Sequence, residues 1–322
     1  MLRCCSTNRR DKTGLSDSTR SVRMVPGHGN FFLLSCLFLA VTLSISFSSV
    51  TPPIQPRPVV LIHGVLDGPK DLRSLRKVIE KAHPRTNVTI IAKYDYLYSL
   101  EPMWKQVAGF CDSIRPIVNS APNGIHLICY SQGGLMCRAM LATWPDHKVH
   151  TFISLSAPQM GQYGDTSYLK WLFPGHVKTS LYRACYTSVG QDISVCNYWN
   201  DPHHQERYRA SSRFLAMLNN QSYNQKSQEW KKNFLRVQRL VLIGGPDDGV
   251  ITPWQSSHFG FYDSNETVED FKNQEVYKND SFGLRTLNLH GRLFVYSVSG
   301  VHHTKWHRNE SVAYNYIIPW LD

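Results

Sequence analysis

The chain has 322 residues, 42% apolar and 12% aromatic, with a formal net charge of +11 at pH 7. That length can bury a large core, and that composition excludes a disordered chain. Six Lys/Arg against two Asp fall within the first 23 residues; the remaining +7 forms no basic run with interleaved aromatics, so nucleic acid is set aside as a partner.

Pro26 to Gln55 carries no Asp, Glu, Lys or Arg, and Phe31 to Phe47 is strongly apolar. Preceded by Arg20 and Arg23 and followed by Ser46, Ser48 and Ser49, it reads as the hydrophobic region of a signal peptide, within an N-terminal extension covering residues 1–48. Met24 is a candidate start. Left uncleaved, the 17 apolar residues would reach only the lower edge of a membrane span. Both readings place residues 51–322 in a lumen or outside the cell, with no stable membrane insertion after cleavage. Five sequons, at Asn87, Asn220, Asn265, Asn279 and Asn309, predict N-linked glycans.

After a Pro-rich spacer, Val59-Val60-Leu61-Ile62 is a continuous apolar run suited to a central strand, and it ends in His63-Gly64. Leu72, Leu75, Val78 and Ile79 recur at helical spacing until Pro84, and Val88 to Ala92 reads as the next strand. Met103, Val107, Cys111, Ile114 and Val118 mark a helix broken near Pro116. Ile125 to Cys129 is a short β-prone run, Gly134 to Ala142 a helix, and Val149 to Leu155 a further strand. Strands alternating with helices predict an α/β fold with a mostly parallel, doubly wound sheet.

From Gln159 to about Arg236 that rhythm stops in an aromatic-rich segment too long for a plain loop. It reads as a helical cap inserted into a domain spanning 49–322, placed to roof the site and supply an apolar groove through residues such as Trp171 and Phe173. The alternative is a helical subdomain whose aromatics fill its own core. The alternation resumes with Arg239 to Ile243, followed by Gly244-Gly245-Pro246-Asp247-Asp248-Gly249. Leu293 to Val298 is the last strand, Ser299-Gly300-Val301-His302-His303 follows it, and Ser311 to Leu321 reads as a helix up to Pro319.

Ser131 sits at a strand-to-helix corner, in Cys129-Tyr130-Ser131-Gln132-Gly133. A nucleophile elbow of this kind, usually G-x-S-x-G, strains the backbone so that Oγ stands at the carboxyl edge of the sheet. Here Cys129 replaces the first glycine. A serine hydroxyl needs a histidine to take its proton and a carboxylate to fix that imidazole's tautomer. Asp247 or Asp248 follows one strand, and His302, His303 or His307 follows another, in the Ser, Asp, His order of α/β-hydrolases. The backbone N–H groups of Val65 and Gln132 are the candidate oxyanion donors. No His or Cys spacing fits a metal site, and the chemistry calls for no diffusible cofactor.

Beyond the extension, the cysteines are Cys111, Cys129, Cys137, Cys185 and Cys196, an odd number, so at least one stays outside any bridge. Cys185 and Cys196 flank a loop. A Cys129–Cys137 bridge would brace the nucleophile turn; the alternative is two small buried hydrophobes.

From Pro58 to Leu321 the sequence resembles the palmitoyl-protein thioesterase family. The resemblance is carried by His63-Gly64, HLICYSQGGLMCR around Ser131, ISLSAPQMGQYGD from Ile153, YLKWLFPG from Tyr168, NYWNDPHH from Asn197, KNFLRV from Lys232 and VLIGGPDDGVITPWQSS from Val241. It implies a lysosomal α/β-hydrolase that cleaves fatty acyl thioesters. In that family the acid opens a D-x-apolar-apolar-x-P segment, matched by Asp248 to Pro253, and the base precedes T-x-W-H, matched by Thr304 to His307. The resemblance therefore selects Asp248 and His303. The segment before Met24 is outside the family pattern. A lipase or carboxylester hydrolase would use the same three residues, and a lipid-binding glycoprotein would keep the groove without the chemistry.

Overall fold

The computed structural model describes residues 55–322; the extension and leader expected over 1–48 lie outside the described residues. Strand β1 (Val59–Ile62) is buried at every position because its alternate side chains enter two different cores. Val60 and Ile62 pack with the helices of one face, whereas Val59 and Leu61 pack with those of the other.

Helix α1 (Arg73–Ala82) follows and leads to β2 (Val88–Ile90), then helix α2 (Met103–Ser120), β3 (Ile125–Tyr130), helix α3 (Gln132–Thr143) and β4 (Val149–Leu155). Helix α2 continues through Pro116 without the break expected there. A proline removes one intrahelical N–H, and Ile114 and Val118, buried on either side of it, hold the helix on the sheet. Helix α3 is buried along its whole length, which accounts for its apolar sequence.

Strands β5 (Arg239–Gly244) and β8 (Leu293–Ser297) complete a parallel sheet of order β2-β1-β3-β4-β5-β8. The chain winds outward from β1 to β2, then returns to place β3 on the other side of β1. The carboxyl ends of β1 and β3 therefore flank the point where the winding reverses, and in open α/β sheets a crevice forms there. Gly64 follows β1 and Ser131 follows β3, so the reversal puts both at one opening.

Between β4 and β5 the chain forms short helices, including Ser167–Leu172, Gln205–Ser211 and Ser227–Phe234. Many of their aromatics are core: Tyr163, Trp199, Tyr208 and Phe214 are fully buried. A second excursion, between β5 and β8, holds the hairpin of β6 (Phe261–Tyr262) and β7 (Val268–Glu269) and two short helices, Glu275–Lys278 and Leu284–Leu289. Sequence reading assigned no element there, because two-residue strands and single helical turns carry no measurable period. The expected C-terminal helix is instead three short pieces, Glu310–Val312, a wider turn over Ala313–Ile317 and a tight turn over Ile318–Trp320. Pro319 lacks an N–H and its ring crowds the preceding turn, so a regular helix does not extend to it.

Among the described residues no helix is long and apolar enough to cross a membrane, and no cluster of His, Cys, Asp or Glu has the arrangement of a metal site.

Candidate active site

Ser131 joins β3 to α3 with φ +54° and ψ −129°, a conformation that L-residues rarely adopt. The tight turn leaves no room beside it. A Cβ on Gly133 would sit 2.6 Å from the carbonyl oxygen of His63, and one on Gly64 would sit 2.8 Å from Ser131 Cβ. Cys129, standing where the usual motif has glycine, turns toward α3 and is bridged there to Cys137. Both cysteines are fully buried. Cys185 and Cys196 form the second bridge, and Cys111 belongs to neither.

Ser131 Oγ lies 2.9 Å from His303 Nε2, and His303 Nδ1 lies 2.9 and 3.0 Å from the two oxygens of Asp248. The fold pins His303 by its backbone as well: its N–H donates to the Asp248 carbonyl at 2.8 Å, and its own carbonyl accepts from Tyr130 Oη at 2.8 Å. Asp248 is buried and fully satisfied. Its Oδ1 accepts from the N–H groups of Val250 at 3.1 Å and Ile251 at 2.7 Å, and its Oδ2 accepts from Ser156 Oγ at 2.5 Å and Trp306 Nε1 at 2.6 Å. Burial alone would raise the Asp248 pKa, but donation from His303, Ser156 and Ile251 outweighs it and holds the carboxyl below its ordinary value.

The alternatives left open by the residues alone fall elsewhere. Asp247 is exposed and accepts from the Gly300 N–H at 2.7 Å, as a turn residue does. His302 is exposed. His307 is buried against the Tyr130 ring at 4.6 Å, and its pKa is lowered to about 4, chiefly by burial and then by Arg308.

Neither the Val65 nor the Gln132 backbone N–H donates to a protein acceptor among the described residues. Both lie beside the serine, Val65 lining the same cavity and Gln132 directly following Ser131. The loop carrying Val65 is tied down by a residue that sequence reading missed. Ser99 is fully buried; its Oγ accepts from the Leu66 N–H at 2.7 Å, and its carbonyl accepts from Gln132 Nε2 and Gln106 Nε2 at 2.8 Å and from Ser194 Oγ at 2.9 Å. It thus links the β1 loop, the elbow and the excursion after β4. Ser156, also missed, ends β4 with φ +45° and touches both Asp248 and His303 Nδ1. Only its place after an apolar strand, in Leu155-Ser156-Ala157-Pro158, hinted at it.

A cavity of about 250 Å³ opens over Ser131. Leu169, Tyr198, Val250 and Ile251 give it apolar walls, and Asp67, Gln162, Thr166 and Thr304 are among its polar lining residues. Trp171, expected in the groove, is instead 61% exposed, because helix Ser167–Leu172 turns Leu169 inward and Trp171 outward. Phe173 is likewise absent from the walls; it packs on the core. Of the five sequon asparagines, Asn87, Asn220, Asn265 and Asn279 are exposed, whereas Asn309 is half-buried and accepts from the Val312 N–H at 3.1 Å.

A parallel doubly wound sheet whose serine stands on a strained strand-to-helix turn defines an α/β-hydrolase. Residues 58–303 match the profile of the palmitoyl protein thioesterase family. The chain is also 54% identical over 265 residues to the lysosomal thioesterase PPT2 of Rattus norvegicus and to that of Homo sapiens, each alignment covering 82% of this chain and 88% of the relative. To the lysosomal thioesterase PPT2-B of Xenopus laevis it is 47% identical over 294 residues, covering 91% of this chain and 99% of the relative. The chain belongs to the palmitoyl protein thioesterase family, and it is a thioester hydrolase.

Proposed function

We propose that this enzyme hydrolyses long-chain fatty acyl thioesters by acyl transfer through Ser131, with His303 as base and acid and Asp248 orienting it. The observation carrying this reading is the unbroken chain from Ser131 Oγ to His303 Nε2 at 2.9 Å, and from His303 Nδ1 to Asp248 at 2.9 Å, at the mouth of an apolar cavity. Ser131 Oγ adds to the thioester carbon as its proton passes to His303 Nε2. The N–H groups of Val65 and Gln132 face the negative charge that develops on the carbonyl oxygen. The C–S bond breaks, the thiol leaves with the proton from His303, and an acyl-serine remains. Water then gives a proton to His303, attacks the acyl carbon and releases the fatty acid.

Substrates with the same acyl group on oxygen would use the same machinery, and competition between matched esters and thioesters measures the preference. Relatives named as lysosomal thioesterases, a secretory leader read in the sequence and exposed sequons support a glycosylated enzyme routed through the secretory pathway to the lysosome. The test is Ser131→Ala, which should lower hydrolysis of palmitoyl-CoA roughly a thousandfold or more and abolish labelling by a fluorophosphonate probe. Undiminished turnover by Ser131→Ala would reject the serine scheme.

A further inference from the structure

Asp67 is an ionisable group at the reacting centre that the acyl-transfer scheme leaves unused. It lines the same cavity as Ser131 and His303. Its Oδ2 lies 3.1 Å, and Ser131 Oγ 3.3 Å, from the position a Cβ on Gly64 would take, so carboxyl and nucleophile crowd the same side of the Gly64 backbone. The backbone fixes it there. The Asp67 carbonyl accepts from the Tyr96 N–H at 2.8 Å, and the preceding residue, Leu66, is held at φ +57° by Ser99. Yet the half-buried Asp67 carboxyl accepts no hydrogen bond from a described residue, whereas Asp248 accepts from five groups.

The charged and titratable groups facing Asp67 come from three sides: Asp71 ahead of α1, His63 and Tyr130 from the sheet, and His303 and Arg308 from the last loop. Two of the basic side chains are engaged elsewhere. Arg308 pairs with Asp71 at 2.9 Å, and His63 Nε2 lies 3.3 Å from Asp95. Burial, and then Asp71, raise the Asp67 pKa to about 6 against the opposing pull of His63, His303 and Arg308.

We propose that Asp67 serves the reaction as a neutral carboxylic acid that donates a hydrogen bond to the thioester group, and that its ionised form suppresses turnover. This rests on Ser131 and His303 acting as described above. A carboxylate with no donor in an apolar cavity is costly, whereas a carboxylic acid carries one O–H donor. The thioester is the polar group that a fatty acyl substrate brings to this point. Negative charge grows on its carbonyl oxygen during attack, and a carboxylate bordering the nucleophile opposes that charge while a neutral acid does not. The proton stays on Asp67 throughout, and no bond to it is made or broken. Ionisation of Asp67 sets an alkaline limb of the pH profile.

The experiment compares kcat/KM for palmitoyl-CoA from roughly pH 4 to 8 in the wild type, Asp67→Asn, Asp67→Ala and Ser131→Ala. Wild-type activity should fall above about pH 6, and Asp67→Asn, which is always neutral and keeps a donor, should retain its activity there and exceed the wild type by about tenfold per pH unit. Asp67→Ala should also lack the alkaline limb but be slower than Asp67→Asn at every pH, having lost the donor. An unchanged alkaline limb in Asp67→Asn and Asp67→Ala, or inactivity of both variants at all pH values with the thermal melt intact, would overturn the proposal. If Ser131→Ala is inactive while the Asp67 variants titrate like the wild type, only the role of Asp67 fails. Activity in Ser131→Ala rejects the serine scheme beneath it.

Discussion

The indole N–H of Trp306 donates to Asp248 Oδ2 at 2.6 Å, on the same oxygen that accepts from Ser156 and His303. Trp306 is fully buried, so its N–H has no water to turn to, and the carboxylate is held from three directions at once. The pair links a residue in the loop after β8 to one in the loop after β5, setting the direction in which Asp248 faces the imidazole.

Trp306→Phe should therefore weaken the orientation of His303 rather than remove a reacting group. Hydrogen bonds to a charged group contribute about 1.5–3 kcal/mol, so kcat should fall by about tenfold or more with little change in KM. The Asp248 pKa in the folded protein is depressed, so its share of stability is present above the ordinary carboxylate value and is lost as pH falls through the folded value. Losing the indole donor raises that folded value, and the acid unfolding midpoint should move to higher pH. An unmoved midpoint in a circular dichroism titration would contradict this account.

Gly133→Ala should damage both stability and turnover. Its added methyl would lie 2.6 Å from the His63 carbonyl and 3.0 Å from that of Ile62, both backbone atoms that cannot swing aside. Overpacking of this kind costs about 1–3 kcal/mol, and relief requires the elbow to move away from the loop holding Val65. Fluorophosphonate labelling should slow more than the melting temperature alone would suggest; normal labelling would show that the elbow tolerates the shift.

Removing the Cys129–Cys137 bridge by paired substitution to alanine should cost about 2 kcal/mol, the entropy of closing a short loop, with some further loss from unfilled space. Non-reducing peptide mapping of the native enzyme should recover Cys129 with Cys137 and Cys185 with Cys196. Alkylation of Cys129 and Cys137 without prior reduction would refute the brace.

Chain-length preference should depend on Leu169 and not on Trp171. Each buried CH₂ contributes about 0.8 kcal/mol, so kcat/KM across saturated acyl-CoA substrates should climb with length and level off once the cavity over Ser131 is full. Leu169→Trp should shorten the length at which the plateau begins, while Trp171→Ala, which alters an outward-facing side chain, should leave the series unchanged. Equal efficiency on acetyl and palmitoyl thioesters in the wild type would exclude an acyl groove.

In a host whose secretory pathway adds N-linked glycans, occupancy measured by mass spectrometry should be higher at Asn87, Asn220, Asn265 and Asn279 than at Asn309. The Asn309 side chain already caps the turn that follows it, and it is less exposed than the other four. Full occupancy at Asn309 by mass spectrometry would show that the glycan is added before that cap forms.

The sequence by itself determined the alternation of strands and helices, because continuous apolar runs such as Val59–Ile62 carry their burial on both faces in their composition. It also determined the corner at Ser131, where a β-prone run meets a helix through small residues, and the two loops bearing Asp248 and His303. Those are local signals, legible within a few residues. The residues alone left two adjacent aspartates and three nearby histidines open and the family resemblance singled out Asp248 and His303, but only the tertiary structure brings that pair to Ser131, since it depends on β5 pairing with β4 and β8 with β5 in the sheet. The same holds for Ser99, Ser156 and Asp67, ordinary residues in sequence whose neighbours lie 33, 92 and 64 positions away: Leu66, Asp248 and Ser131. The inward turn of Leu169 and the outward turn of Trp171 were equally hidden. Both residues are apolar, and the direction each one faces is fixed by what a six-residue helix packs against, a property no six-residue period can encode.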